Sequence, residues 1–194
     1  MYKNHQPLIK QYALENADNF ADVQRFVICT IQQQLNVAVK QANGERDLNA
    51  FGFKLRALAD IELHLKERYE ESTELYNKGD IDALLAYVST WYGFGLVKAG
   101  FVLQLAFGVS GCIDTHNLKL FNIKKSTVTL GQKVTYKTRL KKAKAYNKLV
   151  NKCGGTEFLW DNWCEYVAIS QPNSYKDAHE VSRLHQDAII IRSN

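Results

Sequence analysis

A chain of 194 residues, 46% of them hydrophobic, with a formal charge of +5 suits one compact domain or two helical lobes sharing a cleft. No run of eighteen apolar residues occurs, which argues against a membrane-spanning helix. The first residues, Met1-Tyr2-Lys3-Asn4-His5-Gln6-Pro7, show no h-region or cleavage site, and Cys29, Cys112, Cys153 and Cys164 form no Cys-x-x-Cys pair. An intracellular, reducing setting is therefore expected, with no metal and no cofactor.

Apolar spacing through Phe20, Val23, Phe26, Val27, Cys29, Ile31 and Leu35 predicts a helix over about 19–40, ended by Asn43-Gly44. A second helix is expected over 47–58 and a third over 60–77, stopped at Asn77-Lys78-Gly79. Asp80 reads as the N-cap of a helix over 81–91 that turns Leu84, Leu85, Tyr87 and Val88 inward. The run between Gly100 and Gly108 is apolar nearly all round and should be a central core helix. A short helix follows over 115–123. Residues 124–135 read as a loop or short extended stretch, because Ser126-Thr127-Val128-Thr129-Leu130 is β-branched but Gly131 interrupts it. A basic helix over 135–151 ends near Gly154-Gly155, and Thr156 is expected to cap a helix reaching Ser170. Pro172-Asn173-Ser174 breaks the chain before a last helix over 174–186 and a short apolar tail. Helices with short connections and no internal repeat make the fold class all-α.

Charge is distributed unevenly. From Thr115 to Thr156 there are eleven basic residues and no acidic one, whereas residues 1–114 carry eleven basic and fourteen acidic residues. Such a block attracts a polyanion, and nucleic acid is the first candidate. Lys124, Lys125, Lys141 and Lys142 are its expected contact residues.

The most specific motif is Gly93-Phe94-Gly95-Leu96-Val97-Lys98-Ala99, followed after the apolar helix by Gly111-Cys112-Ile113-Asp114-Thr115-His116. Two glycines in a tight inter-helix turn can take positive φ and expose backbone N–H groups at a helix start, an arrangement suited to a phosphate. Lys98 in the first turn can add a charge-assisted contact. A Gly-x-Gly pair also opens dinucleotide fingerprints, but Lys98 occupies the third glycine position and no strand–helix alternation surrounds it.

This arrangement resembles the helix-hairpin-helix region and catalytic aspartate of the endonuclease III-like DNA glycosylases. The resemblance covers about residues 55–125 and extends weakly back to residue 20. It implies a single glycosylase-like unit over 1–194, with a helix-hairpin-helix core at about 20–125 and a basic helical extension over 126–194. It also implies that Gly93, Gly95 and Lys98 meet the DNA backbone. Asp114 would stabilise a sugar oxocarbenium ion and position or activate the nucleophile. The stretch Ile31-Gln32-Gln33-Gln34-Leu35-Asn36 resembles the family's glutamine segment, and Gln33 is the best match for the residue entering the gap left by a flipped base. Trp91, Tyr92 and Phe94 are candidates for the base pocket. Each has a plainer alternative: Asp114 as a helix cap, the glutamines as a polar helix end, the aromatic residues as core.

The chain departs from the family pattern in four places, one of them a Gly95-to-Asp114 spacing about one residue short, which falls in the loop Gly108-Val109-Ser110-Gly111. Trp91-Tyr92 replaces the usual Leu-Pro before the hairpin. Val97 stands where lyase-competent members carry lysine, and Lys98 follows one residue later, a rotation of about 100° on a helix. The tight four-cysteine iron–sulfur loop of many members is missing. The expectation is a monofunctional glycosylase that binds duplex DNA as a monomer and excises a modified or damaged base. Two alternatives stay open. One is a bacteriophage-type base-hypermodification enzyme on the same scaffold, of the α-glutamyl/putrescinyl-thymine pyrophosphorylase group. The other is a non-catalytic DNA-binding or virion-associated protein. His116 is expected to be structural, Cys164 is not expected to be a nucleophile, and Asp161 or Glu165 could supply a second carboxylate.

Overall fold

The computed structural model describes residues 6–45, 52–131 and 133–173. Eleven helices lie among them, with no strand. In chain order they are α1 (Gln6–Glu15), α2 (Ala17–Cys29), α3 (Leu35–Ala42), α4 (Gly52–Leu63), α5 (Leu65–Asn77), α6 (Ile81–Val88), α7 (Leu96–Ala106), α8 (Thr115–Leu120), α9 (Lys125–Val128), α10 (Tyr136–Lys152) and α11 (Gly155–Ser170). The all-α expectation stands.

Helix α7 is the central element. Leu96, Ala99, Phe101, Val102, Leu103, Leu105 and Ala106 are all buried. Helices α1, α2 and α6 surround it. An aromatic group fills the space between them, with the Phe20 ring 5.6 Å from Phe107 and 6.2 Å from Trp91. Burial of large side chains at this density is the dominant stabilising term in a helical core of this size.

Several boundaries differ from the sequence-based expectation. The helix expected over 19–40 is broken at residues 30–34, where Thr30 caps α2 and Gln32 takes φ of 55°. Apolar spacing continues through this break, since α2 buries Val23, Val27 and Ile28 and α3 buries Leu35, Ala38 and Val39. Helices α4 and α5 meet at His64, later than expected. The first residues of the helix expected at 47 lie outside the described residues. Helix α1 was not anticipated. Within 124–135 the structure forms one helical turn, α9, closed on Val128, which is buried. Helix α11 begins one residue before Thr156, with Gly154 as its N-cap, so Thr156 is not the cap. The helix expected over 174–186 and the apolar tail lie outside the described residues.

Asp80, Thr135 and Asp114 each accept a hydrogen bond from the backbone N–H three residues on. Each such cap satisfies one of the otherwise orphaned donors of a helix start.

Candidate functional site

The connection from α6 to α7 is a tight turn. Trp91 N donates to Val88 O at 3.2 Å and Phe94 N to Trp91 O at 3.1 Å. Gly93 takes φ of 84°, a conformation that disfavours any side chain. A Cβ there would also stand 3.1 Å from Ile28 Cδ1 and 3.2 Å from Ala57 Cβ, so α2 and α4 press directly on the turn. Gly95 is the N-cap of α7 and brings no side chain to its first N–H groups. A Cβ at Gly95 would meet nothing within 4 Å, so the surface beside it is open. An open helix start of this kind can accept an anion.

The three aromatic residues expected to form a base pocket separate here. Phe94 is 3% exposed and packs edge-on against Trp91 at 5.7 Å; Trp91 is 7% exposed, with Tyr87 edge-on at 5.5 Å. Phe94 and Trp91 are core residues, because the turn folds the Trp91 ring in between Phe20 of α2 and Tyr87 of α6, with Phe94 against it. Trp91 shows one edge to a shallow pocket of about 350 Å³ that Asp60, Arg68 and Tyr92 also line. Only Tyr92 is exposed, and the Arg56 guanidinium lies 4.6 Å from its ring centroid. Arg56, exposed on α4, was not singled out by sequence; no spacing rule connects it to the hairpin.

Lys98 also departs from expectation. It is half-buried, its Nζ donates to Thr30 Oγ1 at 3.1 Å, and it lies over the Phe101 ring. The ammonium thus turns toward the C-terminal end of α2 and is engaged there. Lys54 Nζ, fully buried, donates to Cys29 O at 2.8 Å at the same helix end. Burial pushes the Lys54 pKa down, the Cys29 thiol opposes this, and the Lys98 ammonium adds to the depression. Carbonyls at a helix C-terminus carry partial negative charge, which favours both ammonium groups there. Gln33 is half-buried in the same 30–34 turn that Lys98 reaches.

Asp114 is half-buried at the N-cap of α8, where its Oδ1 accepts from Asn117 N at 3.0 Å. The plain capping role is therefore real. The loop that delivers Asp114 is held by buried side chains from three helices. Tyr146 of α10 donates its hydroxyl to Gly111 O at 2.9 Å and accepts from Ile113 N at 3.0 Å. Gln104 of α7 accepts from Cys112 N at 3.1 Å and donates to Thr156 O at 2.8 Å. Asn117 of α8 donates to Cys112 O at 2.9 Å and accepts from Asn162 of α11 at 2.7 Å. A fully satisfied buried network of this kind fixes a backbone in one geometry. Sequence singled out none of Gln104, Asn117 and Tyr146; a polar residue within an apolar helix was the available signal for Gln104. His116 stacks on Tyr166 at 3.9 Å, a structural contact. All four cysteines are buried and none is in a disulfide, and burial pushes the Cys112 thiol up to about 12 and the Cys29 thiol up to about 11.

The basic block is placed unevenly. Lys124 and Lys125 are exposed at the start of α9. Lys141 is exposed on α10, but Lys142 beside it turns toward Ser126 O and Thr129 O, 3.4 Å from each. Arg139 bonds the Ser89 backbone carbonyl and hydroxyl, and Asn147 bonds Asp82 Oδ1 at 2.9 Å. Those two anchors make α10 run antiparallel to α6, with the start of α10 at the hairpin end.

Among the described residues no cluster of three or more His, Cys, Asp or Glu side chains is arranged to hold a metal, and no helix is long and apolar enough to cross a membrane. Comparison with protein-family models, with curated proteins and with solved structures finds no match to this chain.

Proposed function

We propose that this chain is a helix-hairpin-helix glycosylase-like protein that binds duplex DNA, turns a base out of the stack and hydrolyses its N-glycosidic bond. The observation that carries the reading is the placement of Asp114. It is half-buried on a loop fixed by Tyr146, Gln104 and Asn117, one helix away from an open glycine hairpin. A carboxylate so held can face a sugar without reorganising when positive charge develops on it. Asp114 Oδ1 takes the cap bond, which leaves Oδ2 to face the sugar.

In this reading the C1′–N bond breaks with its electron pair leaving on the base, and the sugar becomes oxocarbenium-like. Water adds to C1′, and the proton it gives up neutralises the departing base. Lys98, held at Thr30, is not the nucleophile. The hairpin N–H groups at the start of α7 bind a phosphate, and Tyr92 with Arg56 forms the exposed aromatic and cationic edge beside it.

Labelled duplexes carrying a panel of damaged and modified bases test the proposal, with alkali added to reveal abasic sites. Alkali-dependent breaks that disappear in Asp114→Asn are the expected result. Tight binding with no breaks on any duplex would replace hydrolysis with base modification or plain DNA binding.

A further inference from the structure

Five lysines of the basic block form a regular array on α10. Lys137, Lys141, Lys144, Lys148 and Lys152 of α10 are all exposed. Their spacings of four, three, four and four residues put them on one helical stripe. At about 100° per residue the stripe lies opposite Ala143, Tyr146 and Val150, the buried side of α10. From Lys137 to Lys152 it climbs fifteen residue steps, about 22 Å at 1.5 Å per residue. The inner side of α10 binds α6 through Arg139 and Asn147 and the Asp114 loop through Tyr146. The lysines therefore face away from the helix that leads into the hairpin.

We propose that this outer face of α10 is a second docking surface for the phosphate backbone of duplex DNA, separate from the glycine hairpin. The proposal rests on the DNA reading only for the identity of the polyanion. Helix α10 contains no acidic residue, so no Glu–Lys pair offsets the row. Lys137–Lys141, Lys144–Lys148 and Lys148–Lys152 are like-charge pairs four residues apart, which disfavour the free helix. Lys137 stands in the first turn, where the helix dipole also opposes a cation. A dense line of phosphates relieves all of these repulsions together, since duplex DNA presents about one charge per 1.7 Å of axis. The four exposed acidic residues of α5 make a poorer counterpart: Glu70 and Glu74 already pair with Lys66 and Lys78 of the same chain, which leaves Glu67 and Glu71 against five lysines. Contacts at the hairpin and on the far side of α10 would together hold a longer or bent stretch of duplex than the hairpin alone.

The test is fluorescence anisotropy of the full chain with a labelled duplex of unmodified bases, over a salt series. The variants are the fourfold Lys141→Gln/Lys144→Gln/Lys148→Gln/Lys152→Gln, the single Lys141→Gln and Lys142→Gln, and Gly95→Ala. Glutamine keeps helix propensity and the variant loses the like-charge pairs, so a melting temperature equal to or slightly above that of the unaltered chain verifies the fold. The fourfold variant should flatten the slope of log K against log salt by about 3.6, at roughly 0.9 per lost contact. Lys141→Gln should flatten it by about one contact and Lys142→Gln should leave it unchanged, although the two are neighbours in sequence. Gly95→Ala should weaken binding without changing the contribution of the stripe. An unchanged slope in the fourfold variant overturns the second surface; if Gly95→Ala still weakens binding, the hairpin reading survives alone. The converse result leaves the stripe standing and removes the hairpin. No duplex affinity in the unaltered protein, or a stripe variant that alters only self-association, overturns the proposal.

Discussion

Gly100 of α7 and Tyr146 of α10 meet where no side chain larger than hydrogen fits. A Cβ on Gly100 would stand 3.1 Å from the Tyr146 ring and 2.3 Å from Gly111 O, the carbonyl that the Tyr146 hydroxyl binds. The close approach of α7 sets the depth of the 111–114 loop, and Tyr146 closes that loop from the other side. Asp114 inherits its position from this contact.

Gly100→Ala is thus expected to be among the most damaging small substitutions in the chain. The obstructing atom is backbone, so relief requires the loop itself to shift. Overpacking of this kind typically costs about 1–3 kcal/mol. Urea unfolding monitored by far-UV circular dichroism measures it; a change near zero would mean the loop moves freely.

Tyr146→Phe removes one hydroxyl and orphans two buried backbone groups, Gly111 O and Ile113 N. Each buried unsatisfied group costs about 1–3 kcal/mol. The variant should lose stability and, if Asp114 is catalytic, lose turnover beyond its loss of folded protein. Equal turnover per folded molecule would separate the loop from catalysis.

Asp114 can be tested for its two roles independently. Asparagine caps helices about as well as aspartate, so Asp114→Asn should keep stability while removing the charge; Asp114→Ala should cost about 1 kcal/mol through the lost cap. The expected pattern is no turnover in either, stability lost only in alanine, and DNA affinity within a few-fold in both. A fully active asparagine variant would reduce Asp114 to a cap.

The Cys112 thiol supplies a pH prediction. Burial raises its pKa from 9.0 to about 12 in the folded chain. Between those values the unfolded chain has released the proton and the folded chain keeps it, so stability falls as pH rises. The contribution is fully present below pH 9 and is lost by about pH 12. Cys112→Ala should show a shallower decline of unfolding free energy above pH 9 than the unaltered chain. Parallel curves for the two would mean the thiol reaches solvent.

Much of the fold could be read from local patterns. The apolar run of α7, the Asp80 cap, the stop at Asn77-Lys78-Gly79 and the long basic helix all follow from periodicity and capping chemistry, which act within a few residues. The break at 30–34 could not be read this way, since apolar spacing continues across it. The single turn of α9 was equally hidden. β-branched residues argued for extension there, and burial of Val128 overrode the preference.

For the candidate site, the motif located the hairpin and Asp114 but misjudged their surroundings. Trp91 and Phe94 sit beside the glycines in sequence, yet packing of Trp91 against Phe20 and Tyr87, and of Phe94 against Trp91, took them into the core. Lys98 has the spacing of a surface lysine on α7, yet Thr30, sixty-eight residues away, holds it at the end of α2.

The sequence by itself determined the helical class, the glycine turn, the cap at Asp114 and the sign of the field around residues 115–156. Each is a property of neighbouring residues: periodicity, backbone freedom, a short side chain and summed charge. Tertiary structure alone decided which face of α10 turns outward and that Lys142 leans back on α9, and that Gln104, Tyr146 and Asn117 converge on one loop. Those depend on contacts between helices distant in sequence, where the cost of leaving a buried polar group unpaired selects one arrangement.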